Sequence, residues 1–356
     1  MPNIGIGERK ADHIDIALNQ NVQFIEKKTG FDDVSLKDVD LVYEALPEIN
    51  LDDVNCETKL FGHEMAAPIF VSGMIGGIDK AEKINRDIAK AVEQLGLGMG
   101  IGSQRAMIER PETKRTYYVR DIAPRMLFAG NIGIVNAKDY DLKKIEWALK
   151  EIKADVLAIH VNAAQEAVQP EGDTDFEGCL KAIKEISSKL KKPVYVKEVG
   201  NGFSKEIVKA LAKTKIKGID VGGSGGTSWT KIEYLRQKEL GEMTYAEFGV
   251  PTCAAILEAR SVYKGELIAT GGIRNGLHVL KCLVLGADIG GIAWPVLMAQ
   301  NANGSEGVKS YLERVIRDLK RGMFLVGAKN LKELKKKKFL VMGKTKVWLE
   351  QRKIKF

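Results

Sequence analysis

Leu267-Ile-Ala-Thr-Gly-Gly-Ile-Arg274 and Ala287-Asp-Ile-Gly-Gly-Ile-Ala-Trp-Pro295 are two apolar runs, each carrying a pair of glycines. Between them Leu277, Leu280, Leu283 and Val284 recur at the spacing of one helical face, which predicts a short helix over 276–286. The unit therefore reads as strand, helix, strand, with glycine at both strand ends. Glycine has no Cβ, so its backbone N–H can approach an anion closely. At the last two strands of a closed parallel barrel, such ends form a phosphate site. A phosphorylated cofactor is expected here, with the chemistry built around it.

Working outward, the same alternation fills most of the chain. Apolar runs begin at Pro68, Leu97, Met126 and Asp155, each 29 residues after the one before. Pro193–Val199 and Gly218–Val221 supply a fifth and a sixth strand. Helices are expected over 79–94 (capped by Asp79), 112–122, 142–151, 176–190, 204–213 (capped by Ser204), 252–262 and 304–322. Eight strands alternating with helices predict an α/β fold, a (β/α)8 TIM barrel. The strands are continuous apolar runs, as strands covered on both faces must be. An open doubly wound sheet would concentrate its glycines in the turn after the first strand. Here glycines follow several strands, which suits a ring.

Three regions follow from this reading. Residues 1–65 form an N-terminal arm, with a short helix over 9–18 and a strand over 60–65 across the barrel floor. Residues 66–325 form the barrel, with a charged, weakly periodic insertion at 229–251 over its mouth. Residues 326–356 form a basic C-terminal helix and tail.

Composition narrows the class. Hydrophobic residues make up 45% and charged residues 29% of the chain, as in a soluble globular protein. No apolar run approaches the ~18 residues of a membrane span, and the N-terminus lacks the pattern of a secretory signal. Cys56, Cys179, Cys253 and Cys282 are scattered without CxxC spacing, which predicts a reducing, cytoplasmic setting and no structural zinc. The net charge is +8, and Lys335–Lys338 lie in a lysine-rich tail. No aromatic-basic module of a nucleic-acid binder accompanies that tail, so it reads as a solvated helix face.

In a barrel of this kind the reactive groups sit at the C-terminal ends of strands. Gathered strand by strand, those ends hold Ser72, Gly73 and Met74; Ser103, Gln104 and Arg105; Asn131; His160, Asn162, Gln165 and Glu166; Lys197; Ser224 and Thr227; and Arg274. A barrel with only a structural role has no need of cations, amides and hydroxyls at nearly every strand end. Gly222–Thr227 and Gly271-Gly272 offer N–H and hydroxyl donors to a phosphate. Lys197 is costly to bury alone. It either pairs with Glu198 or Asp220, or stands beside an electron-rich ring and stabilises negative charge on a reduced flavin. His160-x-Asn-x-x-Gln-Glu166 joins one carboxylate to amides, a set that suits Mg²⁺ completed by substrate phosphate. Arg9-Lys10 with His13, and Ser103-Gln-Arg105, are two basic clusters able to clamp a diphosphate.

Taken together, Arg9-Lys10-x-x-His13, Ser72-Gly-Met-x-Gly-Gly77, Gly102-Ser-Gln-Arg105, His160-x-Asn-x-x-Gln-Glu166, Val196-Lys-Glu-Val-Gly200, Gly222-Gly-x-Gly-Gly-Thr227 and Thr270-Gly-Gly-Ile-Arg274 resemble the motifs of type 2 isopentenyl-diphosphate isomerases, in that family's order and across almost the whole chain. The resemblance implies interconversion of isopentenyl and dimethylallyl diphosphate with FMN, Mg²⁺ and NADPH (or another reductant) to reduce the flavin. It implies FMN contacts from Ser72, Gly73, Met74, Ser103, Asn131, Lys197, Ser224, Thr227, Gly272, Ile273, Arg274, Ala293 and Trp294. Substrate contacts are implied for Arg9, Lys10, His13, Ser103, Gln104, Arg105, Asn162 and Gln165, and Mg²⁺ for Glu166. Gln165, His160 and Lys197 are the candidate catalytic residues, with reduced FMN itself the expected acid–base group. A homo-oligomer, tetramer or octamer, is implied as well, with no nucleic-acid or membrane partner. The competing reading within FMN barrels is an α-hydroxy-acid-oxidase-like oxidoreductase. It would need a catalytic His late in the chain, where His278 stands inside a predicted helix.

Overall fold

The computed structural model describes residues 6–19, 21–23, 34–237 and 243–356. Eight parallel strands close into a barrel. They are β1 (Ile69–Val71), β2 (Gly98–Gly100), β3 (Leu127–Gly133), β4 (Val156–Val161), β5 (Val194–Glu198), β6 (Gly218–Asp220), β7 (Glu266–Ala269) and β8 (Ile289–Ile292). Each pairs with its sequence neighbours, and β8 pairs with β1 to close the ring. The first four strands start at residues 69, 98, 127 and 156, so the 29-residue rhythm of the sequence is a rhythm of βα units. Inside the ring Phe70, Leu127, Ala129, Val156, Ala158, Tyr195, Ile268 and Ile289 form a compact inner core. A larger core lies between the strands and the surrounding helices.

Several expectations on boundaries are corrected. The stretch 60–65 is a hairpin of Thr58–Leu60 and His63–Met65 and not one strand, because Phe61 and Gly62 turn the chain at φ 50° and 85°. Phe61 packs its ring on Tyr195 at 5.3 Å and plugs the barrel floor. The helix expected over 112–122 is only a 3-10 turn, Pro111–Thr116. Beyond it Tyr117, Tyr118 and Val119 are poor helix formers, and Tyr117 is wholly buried, with its ring against Gly76. Asp79 is the first residue of α2 (Asp79–Gln94), and Ile78 holds the cap position. Ser204 does precede its helix, though its side chain makes no capping bond. The last barrel helix starts at Trp294, ahead of the expected Gly304, and kinks at Asn303-Gly304, where Gly304 takes φ 50°.

Two segments outside the barrel bear on the site. The helix α1 (Ile6–Asn19) lies over the mouth, and Trp294 Nε1 donates to Ala17 O (2.8 Å) beneath it. The 229–251 insertion opens with a helix that the weak period concealed, α4 (Trp229–Arg236). Ser228 caps it by accepting from Lys231 N (3.2 Å). At the other end of the chain, Val39–Leu41 pairs antiparallel with Phe339–Val341. Trp348 and Arg352 of the basic tail both donate to the buried Glu258 (2.9 Å each), which ties that tail to the barrel wall.

Candidate active site

The strand C-termini and α1 enclose one cavity. Ser72, Gly73 and Met74 follow β1; Ser103 and Arg105 follow β2; Asn131 and His160 lie on β3 and β4. Asn162, Gln165 and Glu166 come from the start of α3 (Ala163–Val168), Lys197 from β5, and Thr227 from the loop after β6. Gly272, Ile273 and Arg274 follow β7, and Ala293 and Trp294 open α5 (Trp294–Leu325) after β8. Arg9, Lys10 and His13 reach in from α1. Two expected residues are absent from this lining. Gln104 is fully buried, with Nε2 donating to Ala148 O (2.8 Å) and Oε1 accepting from Asn131 N (3.1 Å), so it braces β3. Ser224 is turned away and bridges to Pro251.

His160 and Lys197 sit side by side in register. Asn131 donates from Nδ2 to Ile101 O (2.9 Å), which leaves its Oδ1 to accept from His160 Nδ1 (2.8 Å). Nε2 of His160 therefore carries no proton. Burial, then the charges of Lys197 and Lys10, lower the His160 pKa to about 3, so the ring is neutral at working pH. Lys197 is buried, donates to Glu198 O (3.2 Å), and has no carboxylate within ion-pair distance among the described residues. Neither salt bridge open to it in the sequence forms. Glu198 instead accepts from the Gly200, Asn201 and Gly202 N–H groups, and Asp220 accepts from Thr270 Oγ1 and Gly222 N.

The floor of the cavity suits a phosphorylated flavin. Ser72 Oγ is buried without a partner. Gly271 and Gly272 take φ 109° and 81°, conformations open to glycine. A Cβ on Gly226 would stand 2.6 Å from Gly272 N, so the donor surface exists because that atom is missing. The N-terminus of α5 adds its dipole to the same wall. Gln23, which the sequence reading passed over, links the cradle: Nε2 donates to Thr227 Oγ1 and Oε1 accepts from Arg274, both at 3.1 Å. These residues fit FMN.

The roof is cationic. Lys10 Nζ donates to Gly76 O (2.6 Å), Ser103 O and Tyr117 Oη (both 3.2 Å). Burial first, then neighbouring Arg9, Arg110 and Arg105, pulls its pKa down to about 7. Behind Gln165, outside the lining itself, lies a residue that the sequence reading missed. Glu233 of α4 has a side chain with no exposure, bonded to His13 Nε2 (2.8 Å) and Gln165 Nε2 (3.1 Å). Burial pushes its pKa up, but His13, Arg236 and Gln165 outweigh that and hold it below the usual range. The available signal was Trp229-x-x-x-Glu233, one helical face just after a capping Ser228.

Glu166 accepts from Asn162 Nδ2 and from Asp173 N, both 2.8 Å. Asn162 Oδ1 is buried and unpartnered. Among the described residues no three His, Cys, Asp or Glu side chains group to hold a metal by themselves. A divalent cation here would take Glu166 and the Asn162 amide oxygen, and the rest of its shell from substrate oxygens and water, as Mg²⁺ does. His278 lies in the helix Gly276–Val284 and does not line the cavity.

Comparison with known proteins agrees with this geometry. The profile of the FMN-dependent dehydrogenase family matches residues 121–341. The isopentenyl-diphosphate delta-isomerase of Methanocaldococcus jannaschii is 46% identical, covering 97% of both chains. Those of Ignicoccus hospitalis and Pyrococcus furiosus are 44% and 42% identical over 97% of this chain, and 96% and 89% of theirs. Among solved structures, mandelate oxidase with (S)-2-phenylpropionate aligns at TM-score 0.65 and 17% identity, over 93% of this chain and 94% of that one. A flavocytochrome b2 variant with sulfite aligns at 0.66 and 18%, over 91% and 81%. At such identity the solved structures share the barrel and no more. The sequence relatives go further: this chain belongs to the isopentenyl-diphosphate delta-isomerases, within the FMN-dependent dehydrogenase family.

Proposed function

We propose that this enzyme interconverts isopentenyl diphosphate and dimethylallyl diphosphate on an FMN seated in the glycine cradle, with Mg²⁺ at Glu166. The observation that carries the reading is a single cavity with a glycine-rich, phosphate-accepting floor and a cationic roof, and Gln165, backed by the buried Glu233, in its wall. When bound and reduced, FMN supplies an acid–base group beside the alkene. The chain does the rest. Lys10, Arg9 and Arg105 bind the diphosphate, while neutral His160 and Asn162 orient it. Gln165, held by Glu233, borders the place where the carbon chain must lie. Lys197, in no direct ion pair among the described residues, offers its charge to the flavin. An α-hydroxy-acid oxidase would need a catalytic His late in the chain, and His278, the one that stands there, does not line the cavity.

The test is direct. Protein, FMN, Mg²⁺ and NADPH or dithionite are incubated with isopentenyl diphosphate and the dimethylallyl isomer is assayed. A yellow protein that makes none would sink the isomerase reading. Glu166→Gln should raise the Mg²⁺ concentration needed for half-maximal rate by about 10–100-fold. An unchanged Mg²⁺ titration would remove the metal from Glu166. A cytoplasmic homo-oligomer, tetramer or octamer, reduced by NADPH, completes the proposal. Sedimentation of the holoprotein tests its size.

Lys10 gives a pH signature. Its cation is the binding form. Below about 7 it is already protonated, and above that it must take up a proton when an anion arrives. Inorganic pyrophosphate should therefore bind with proton uptake at pH 8 but not at pH 6, read by calorimetry in buffers of different ionisation heat. Lys10→Met should abolish the difference. Equal uptake in the variant would assign the proton elsewhere.

A further inference from the structure

The charges that hold α1 over the cavity converge on a side chain outside it. Arg236, the last residue of α4, is only 4% exposed and does not line the cavity. Its Nε donates to Glu233 Oε2 and its NH2 to Glu171 Oε2, each at 2.8 Å. Both carboxylates also reach α1. Glu233 meets His13 at 2.8 Å, and Glu171 meets Arg9 at 4.0 Å. With its amide oriented to satisfy its neighbours, Gln169 closes the ring, donating to Glu233 Oε1 (3.0 Å) and accepting from Arg9 NH1 (2.8 Å). One guanidinium therefore stands behind two of the anchors of the helix that carries the diphosphate-binding cations, beside those made by Ala17 and Lys10. It also stands behind the carboxylate that faces Gln165. A planar fork can serve two carboxylates at once in this way, whereas an ammonium acts as a point charge.

We propose that Arg236 is a positioning residue that couples the docking of α1, and so of Arg9 and Lys10, to the ionised state and aim of Glu233. Substrate capture and proton handling then share one support. The coupling rests on the isomerase reading above, but it can be measured separately. The charged and titratable groups around Glu233 are His13 from α1 and Arg236 from α4, with Glu171 and Arg9 one contact further out.

The experiment compares FMN-loaded wild type with Arg236→Gln, Arg236→Lys and Glu171→Gln. It reads amide exchange across residues 6–19, FMN affinity, and kcat and KM against pH. In Arg236→Gln, exchange in α1 should quicken at least tenfold and KM should rise at least tenfold. The acid limb of kcat should move up, because Glu233 keeps His13 but loses Arg236, the next of the groups that hold it ionised. FMN affinity should stay within threefold. Arg236→Lys should restore the acid limb but not the protection of α1. Glu171→Gln should loosen α1 and leave the acid limb in place. Unchanged α1 exchange in Arg236→Gln would overturn the coupling. So would a uniform loss of FMN and protection throughout the barrel, since that is a merely structural role. If wild type isomerises nothing, the proposed function falls, and the exchange data still decide whether Arg236 holds α1.

Discussion

Glu233→Gln should lower kcat by about 10²-fold, the cost of misplacing a group that borders the reacting atoms, here Gln165, with FMN still bound and the protein still folded. The change keeps the side chain's shape and removes its charge. Four hydrogen bonds then lose their charged acceptor, those from His13 (2.8 Å), Gln165 (3.1 Å), Arg236 Nε (2.8 Å) and Gln169 (3.0 Å). Arg236 keeps Glu171 at 2.8 Å, so the substitution does not strand a buried cation and should not unfold α4. The loss should fall on kcat more than on KM, because Lys10, the nearer diphosphate-binding cation, is held by Gly76 O, Ser103 O and Tyr117 Oη and not by Glu233. A kcat within about threefold of wild type would show that Gln165 does not depend on Glu233 for its place in the wall.

Gly226→Val should yield a colourless protein. Its Cβ would lie 2.6 Å from Gly272 N, against backbone that cannot swing aside as a side chain can. Gly272, held at φ 81°, must then move and take its N–H out of the cradle. Hydrogen bonds to a charged group are worth about 1.5–3 kcal/mol each. Losing two of them weakens FMN binding by about 10²–10⁴-fold. The readout is flavin absorbance after gel filtration with excess FMN, with far-UV circular dichroism to show that the barrel persists. Stoichiometric yellow colour in the variant would move the phosphate off this cradle.

The barrel was legible because its evidence is local. Each βα unit needs an apolar run, a breaker and a helical stripe, and four of them repeat at one interval. Most of the site was legible for a related reason: strand ends converge in a closed barrel, so polar residues placed there must meet. The misreadings occur where direction, not position, decides. Gln104 lies between two residues that line the cavity, and the turn after β2 sends its side chain the other way, into the barrel wall. Ser224 is lost to a glycine-rich loop, whose path follows from backbone angles that no side-chain pattern encodes. Glu233 escaped because a two-turn helix in a charged segment gives too few apolar positions for a period to emerge. Its partners, His13 and Gln165, come from 220 and 68 residues away, a proximity that only the closed ring creates. The lysine-rich tail read as a solvated face, yet Trp348 and Arg352 within it grip a buried carboxylate.

The hairpin tip Phe61-Gly62 has a consequence for traffic through the enzyme. From Phe61 and Tyr195 upward the ring is packed solid, so a ligand on the strand ends enters and leaves at the mouth, which among the described residues α1 covers. A flavin lying on the strand ends is then first in and last out. A diphosphate held on Lys10, as proposed, would stand between the cofactor and that mouth, and its departure would then set the rate at which the flavin escapes. Flavin release measured with and without inorganic pyrophosphate would reveal that order of departure.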